Sequence, residues 1–197
     1  EEIIFDCNKM AEGHEYFKLV GMNISPDNTR AIYGIDTESR RKYTLYVKDL
    51  LSGEILETKI TNTSGGSAWA LDNQHFFYTK KNIETLRSEW IYRHNIAAAS
   101  DVDELIFHEK DETFSVGVGE SKSHEYIMIS SYSTLTSEYQ FLESTDPLGK
   151  FKIIQSRTRG LEYNVAQYQD HFYILNNHKG ATNYKISKVP ISNPGVS

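Results

Sequence analysis

A chain of 197 residues is long enough to bury most of its apolar surface in one or two domains, and its single cysteine, Cys7, excludes an internal disulfide and any cysteine-paired metal site. The 21 lysines and arginines against 27 aspartates and glutamates give a net charge of −6 without a basic stripe, so nucleic acid is not an expected partner. With 13 tyrosines, 9 phenylalanines and many Ile, Val and Thr the composition favours strands, and no run is apolar enough to span a bilayer; no membrane contact is expected, and the expected compartment is the cytoplasm, with the periplasm left open.

The N-terminal stretch EEIIFDCNKM has no basic n-region, apolar h-region or initiator methionine, and the chain is expected to be cut from something longer. Cys7 within it is expected to be a small buried or half-buried side chain, not a nucleophile. The first hairpin signal is ISPDNTRAIYGI, residues 24–35, where a Ser-Pro-Asp-Asn turn precedes an apolar, β-branched and aromatic run. Asp27-Asn28 recurs as Asp72-Asn73, 45 residues on, and the same offset carries Tyr33 onto Tyr78. Ile129 follows Tyr78 by 51 residues and Ile174 follows Ile129 by 45, in the apolar runs EYIMISS and HFYILNN.

Each unit opens on a strand of small residues, which suits a crowded axis: Val20-Gly21-Met22, Ser67-Ala68-Trp69, Ser115-Val116-Gly117 and Asn164-Val165-Ala166. A further partner strand follows in each: YTLYVKDL, EWIYRHNI, SEYQFLES and NYKISKV. Four strands in about 40 to 50 residues is the pattern of a propeller blade. The expected fold is therefore all-β, a partial β-propeller of about four blades of four-stranded antiparallel sheet, with approximate blades 16–60, 66–107, 113–155 and 162–190. TNTSGGS, HEKDET and QSRTRG read as connections between blades, with Gly65 and Gly66 making a turn into an inner strand. Ile83, Leu86 and Trp90 have helical spacing behind Asn82, but the repeat favours a hairpin loop there.

Catalytic signals are sparse. GESKS, Gly119 to Ser123, lacks the second glycine of a nucleophile elbow and falls where a β-turn is expected, so Ser121 is not assigned as a nucleophile and no catalytic residue is assigned in this chain. The seven histidines are dispersed without a zinc spacing, DVDELIFHEKDE lacks the pattern of a calcium loop and reads as a solvated loop, and no glycine loop for a phosphate is present; neither a metal site nor a cofactor is expected.

Several strings in order, DCNKMAEGHEYF, ISPDN, DTESRRKYTLYVKDL, NTSGGSAWALDNQHFFYT, YRHNI, HEKDETFSVGV, SYSTLTSEYQFL and LEYNVAQYQDHFYILNN, resemble the propeller of the prolyl oligopeptidase family of serine peptidases, in its oligopeptidase B or protease II group. The resemblance covers nearly the whole chain. It implies a parent with a seven-bladed propeller capping a C-terminal α/β-hydrolase domain that carries the Ser, Asp and His triad, absent from this chain. It also implies cleavage of short peptides after arginine or lysine, with the propeller restricting access to oligopeptides. By the same resemblance Glu15, in HEYF, and the pair Arg40 and Arg41, in SRRKY, match charged positions near the cleft between the two domains. The implied partners are that hydrolase domain and oligopeptide substrates. The competing reading is a stand-alone propeller that binds a protein or peptide; an enzyme using the propeller's channel lacks convergent polar groups.

A run of about four blades also leaves two sheet faces bare, and the isolated segment is expected to self-associate through them. The expected faces are Tyr33, Ile35, Tyr43, Tyr46 and Val47 at one end and Phe172, Ile174, Tyr184 and Ile186 at the other.

Overall fold

The turn that repeats in the sequence repeats in the backbone. Asn28, Asn73, His124 and Gln169 occupy equivalent places in four hairpins and all have φ between 53° and 62°, the left-handed conformation that closes a hairpin after a tight turn. The first and second turns also touch, the Asp27 N–H donating to Asn73 Oδ1 at 2.9 Å. The computed structural model describes residues 2–98 and 102–196. Among them are 14 strands, all paired antiparallel, in three sheets of seven, four and three. A single helical turn, α1 (Cys7–Met10), precedes them and is capped by the Asp6 carboxylate, which accepts from the N–H groups of Asn8 and Lys9.

The largest sheet runs in chain order through β1 (Lys18–Ile24), β2 (Arg30–Asp36), β3 (Tyr43–Asp49), β4 (Ile55–Trp69), β5 (His75–Lys81), β6 (Ser88–Asn95) and β7 (Glu104–His108). Strand β4 is long enough to close one group of four strands and open the next. The expected turn at Gly65 and Gly66 is instead a bulge inside this strand, with a register shift between Thr63 and Ser67. A second shift in β1, between Val20 and Asn23, brings Gly21 against it. A Cβ on Gly21 would lie 1.8 Å from the Gly65 carbonyl oxygen, and both residues have positive φ, so the close approach requires glycine at both places. TNTSGGS is thus continuous strand, not a loop.

Strands β8 (Ser115–Glu120), β9 (Tyr126–Tyr132), β10 (Ser137–Glu143) and β11 (Lys152–Gln155) form the second sheet; β12 (Tyr163–Tyr168), β13 (His171–Asn176) and β14 (Lys185–Pro190) form the third. Period-two alternation sends successive side chains to opposite faces, and the groups stack through them. Ile32, Leu45, Val47 and Ile60 of the first group meet Trp69, Phe76 and Tyr78 of the second. Ala68, Phe77 and Ile91 meet Val116, Ile127 and Ile129 of the third. Phe141 and Ile154 meet Tyr163, Phe172 and Ile174 of the fourth. This is an open stack of blade-like sheets, a partial propeller.

Other expectations change for identifiable reasons. Asn82 to Arg87 form a hairpin turn closed by the Asn82 N–H to Arg87 carbonyl bond, with Trp90 already in β6, as the repeat required. The stretch 101–112 is not a solvated loop: β7 occupies its middle, and Asp103 and Glu109 are buried against partners, while Asp101 lies outside the described residues. Asp103 accepts from the Tyr78 hydroxyl at 2.9 Å and sits 2.7 Å from His94 Nδ1. Cys7 is exposed, because α1 lies on the surface and buries none of its residues. The expected bare faces mix two directions: Tyr43 and Val47 turn toward the second group, and Phe172 and Ile174 toward the third.

Candidate interdomain face

Antiparallel pairing fixes which loops share an end of the stack. Lys18 pairs with Asp36 and Ile35 with Thr44, so the segment entering β1 and the β2–β3 loop lie at one end. The β5–β6 turn, the β9–β10 turn and the connections 109–114 and 156–162 share it, as the pairings Lys81 with Ser88, Trp90 with His108, Tyr132 with Ser137 and Tyr139 with Gln155 require. Glu15, Arg40 and Arg41 are therefore brought to the same end. All three are exposed, and among the described residues no hydrogen bond or ion pair engages their side chains.

The loop bearing Arg40 and Arg41 is held from two sides. Asp36, buried at the end of β2, accepts the Glu38 N–H at Oδ1 (2.8 Å) and the Arg41 N–H at Oδ2 (2.7 Å). This is the local side-chain-to-backbone bonding that lets aspartate shape turns. From the neighbouring strand group, Lys81 Nζ donates to the Arg41 carbonyl oxygen at 2.9 Å. Burial, with the Arg41 charge, lowers the Lys81 pKa from its usual value, while Asp36 opposes the shift. Ser39 and Arg41 both adopt positive φ, 59° and 54°. Lys42, next along the loop, pairs with Glu38 at 2.8 Å.

Deeper between the second and third groups lies a charged network. Arg87 bonds the Glu89 carboxylate and reaches the carbonyl oxygens of Glu109, Asp111 and Phe114, the last at 2.8 Å. Arg157 donates to both Glu109 oxygens (3.2 and 2.7 Å) and to Glu138 (3.0 Å), and its guanidinium lies 4.2 Å from the centre of the Phe114 ring. The bond to Glu109 foremost, against the opposing cost of burial, raises the Arg157 pKa further above its already high value. Such buried pairs give position more reliably than stability: a missing partner costs about 3–5 kcal/mol because the survivor stays buried and unpaired. Above the Arg157–Phe114 stack a cavity of about 480 Å³ opens between Asp111, Leu135 and Arg159.

At the opposite end Ser121 lies in a turn between β8 and β9, where its hydroxyl contacts Ser123 Oγ (3.1 Å) and accepts the Tyr126 N–H (3.1 Å). The residues that sequence reasoning missed are Asp36, Lys81, Arg87, Glu109 and Arg157. Asp36 carried a faint signal, an aspartate ending a strand before a polar loop. Glu109 and Arg157 carried none, since they meet 48 residues apart across a seam.

Comparison with known proteins gives concordant results. Residues 1–197 match the family described as prolyl oligopeptidase, N-terminal beta-propeller domain. The chain is similar to dipeptidyl aminopeptidase BI of Pseudoxanthomonas mexicana, 34% identical over 96% of this chain and 26% of that protein. It is also similar to protease 2 of Moraxella lacunata, 31% identical over 98% of this chain and 28% of that protein. Among solved structures, oligopeptidase B from Leishmania major superposes with a TM-score of 0.92 at 26% identity, over 98% of this chain and 27% of that one. The chain spans about a quarter of the length of these relatives.

Proposed function

The chain belongs to the prolyl oligopeptidase family, within its N-terminal β-propeller domain, and from that premise we propose that it is the substrate-gating segment of a serine oligopeptidase that cleaves short peptides after arginine or lysine. The observation that carries this reading is the set of unpaired charges, Glu15, Arg40 and Arg41, at one end of the stack. Charges facing a hinge favour a closed state that salt and substrate can shift, which turns a rigid scaffold into a gate. The partner across the cleft is the C-terminal α/β-hydrolase domain of the longer protein, which supplies the nucleophile, the base and the orienting carboxylate.

The test uses full-length protein on short peptides with arginine or lysine before the scissile bond. Turnover is expected, blocked by a serine-reactive inhibitor, and absent from the 197-residue segment; Ser121→Ala in the full-length protein leaves it unchanged. Reversing charge at Glu15, or at Arg40 with Arg41, is expected to change turnover and its salt dependence more than thermal stability. Normal kinetics across ionic strength in those variants would reduce all three to ordinary surface charges, and no turnover at all would favour a stand-alone binding propeller.

A further inference from the structure

We infer that Lys81 is a positioning residue that holds the β2–β3 loop in the shape presenting Arg40 and Arg41 as a preformed double-cation site for a carboxylate on the facing domain. The inference rests on the cleft reading above and adds to it a residue from a different strand group and a partner chemistry.

The geometry makes the loop more ordered than a surface hairpin needs. Two non-glycine residues, Ser39 and Arg41, hold left-handed φ values within six loop positions, a strained placement that persists only where its surroundings fix it. Two contacts do so: the buried Asp36 carboxylate accepts the Arg41 N–H from one side, and Lys81 Nζ donates to the Arg41 carbonyl from the other. The Arg41 peptide groups are thus fixed at both faces while its guanidinium and that of Arg40 stay exposed and unpaired. Lys42, the third cation of SRRK, is already paired with Glu38 and is not available. Two unneutralised guanidinium groups carried side by side on a loop whose Arg41 backbone is held fit an anion with two oxygens, and on a protein surface that is an Asp or Glu side chain. Because the Arg41 carbonyl is at the surface, losing Lys81 leaves it to water, so stability changes little while loop position changes much.

The experiment compares full-length Lys81→Met, which keeps the aliphatic stem, Lys81→Arg, which keeps a donor, and Arg40→Ala with Arg41→Ala. Two readouts are taken: the salt dependence of short-peptide turnover, and the rate of limited trypsin cleavage after Arg40 and Arg41 under native conditions. Lys81→Met is expected to cleave severalfold faster at the loop and to flatten the salt dependence as the double Arg variant does, with Lys81→Arg restoring both and all melting temperatures close to the parent. Parental loop cleavage and salt dependence in Lys81→Met, with a flattened response in the double Arg variant, would overturn the role of Lys81 and leave the cleft reading intact. A parental salt dependence in the double Arg variant would overturn the cleft reading, and this inference with it.

Discussion

The outer faces of the first and the last strand groups are built from similar residues and meet different fates. On the first, Tyr33 alternates away from the core side of β2, yet it is only 1% exposed. Phe5 covers it at 4.6 Å between ring centres, and Tyr46 stacks beside it at 5.7 Å. Lys48 fastens that cover, donating to the Ile4 carbonyl at 2.7 Å and lying 5.1 Å from the Phe5 ring centre. On the last group no described residue covers the outward side chains in this way: Leu175 is 42% exposed and Ile186 71%. Alternation dictates only which side chains point outward; on the first group it is Phe5 and the Ile4 backbone, laid over the sheet, that bury Tyr33.

Breaking the cover should have the largest effect. Phe5→Ala removes a half-buried ring from Tyr33 and is expected to cost about 2 kcal/mol of stability, read from denaturant midpoints, together with new binding of a hydrophobic dye. Stability within experimental error of the parent would mean that Tyr33 is protected without Phe5. Next comes the fastening: Lys48→Met loses one charge-assisted hydrogen bond and one cation–π contact, both near the surface, at a cost of about 0.5–1 kcal/mol. A loss as large as that of Phe5→Ala would show that the arm detaches as a unit.

The bare face sharpens the contrast through association instead of stability. The purified segment is expected to self-associate through Leu175, Ile186, Tyr168 and Tyr184, and Leu175→Lys with Ile186→Lys to yield monomers by light scattering, each exposed change altering stability by no more than about 0.5 kcal/mol. A parent segment that stays monomeric at all accessible concentrations and binds no dye would erase the difference between the two faces.

Much of this architecture was legible in the order of residues. The Asp-Asn turn and its 45-residue echo located the hairpins because a left-handed turn residue and the runs flanking it are local requirements, satisfied within a few positions of chain. The strands of small residues followed from the same short-range rules, and the chain-long resemblance supplied the family. Glu15, Arg40 and Arg41 were named from that resemblance; that they share an end follows from strand pairing.

What the tertiary structure alone decided is everything that depends on residues far apart in sequence. The bulge at Gly65 looked like a turn because its reason is Gly21, 44 residues away, whose backbone needs the space. The polar runs HEKDET and QSRTRG are the connections they read as, yet within them the buried Glu109 and the half-buried Arg157 pair with each other. A charge can leave water only when a partner arrives with suitable geometry, and no local pattern encodes that arrival. The position of Lys81 over the Arg41 carbonyl has the same origin: alternation and turn chemistry act along the chain, whereas clamps, covers and buried pairs act between strand groups that packing alone brings together.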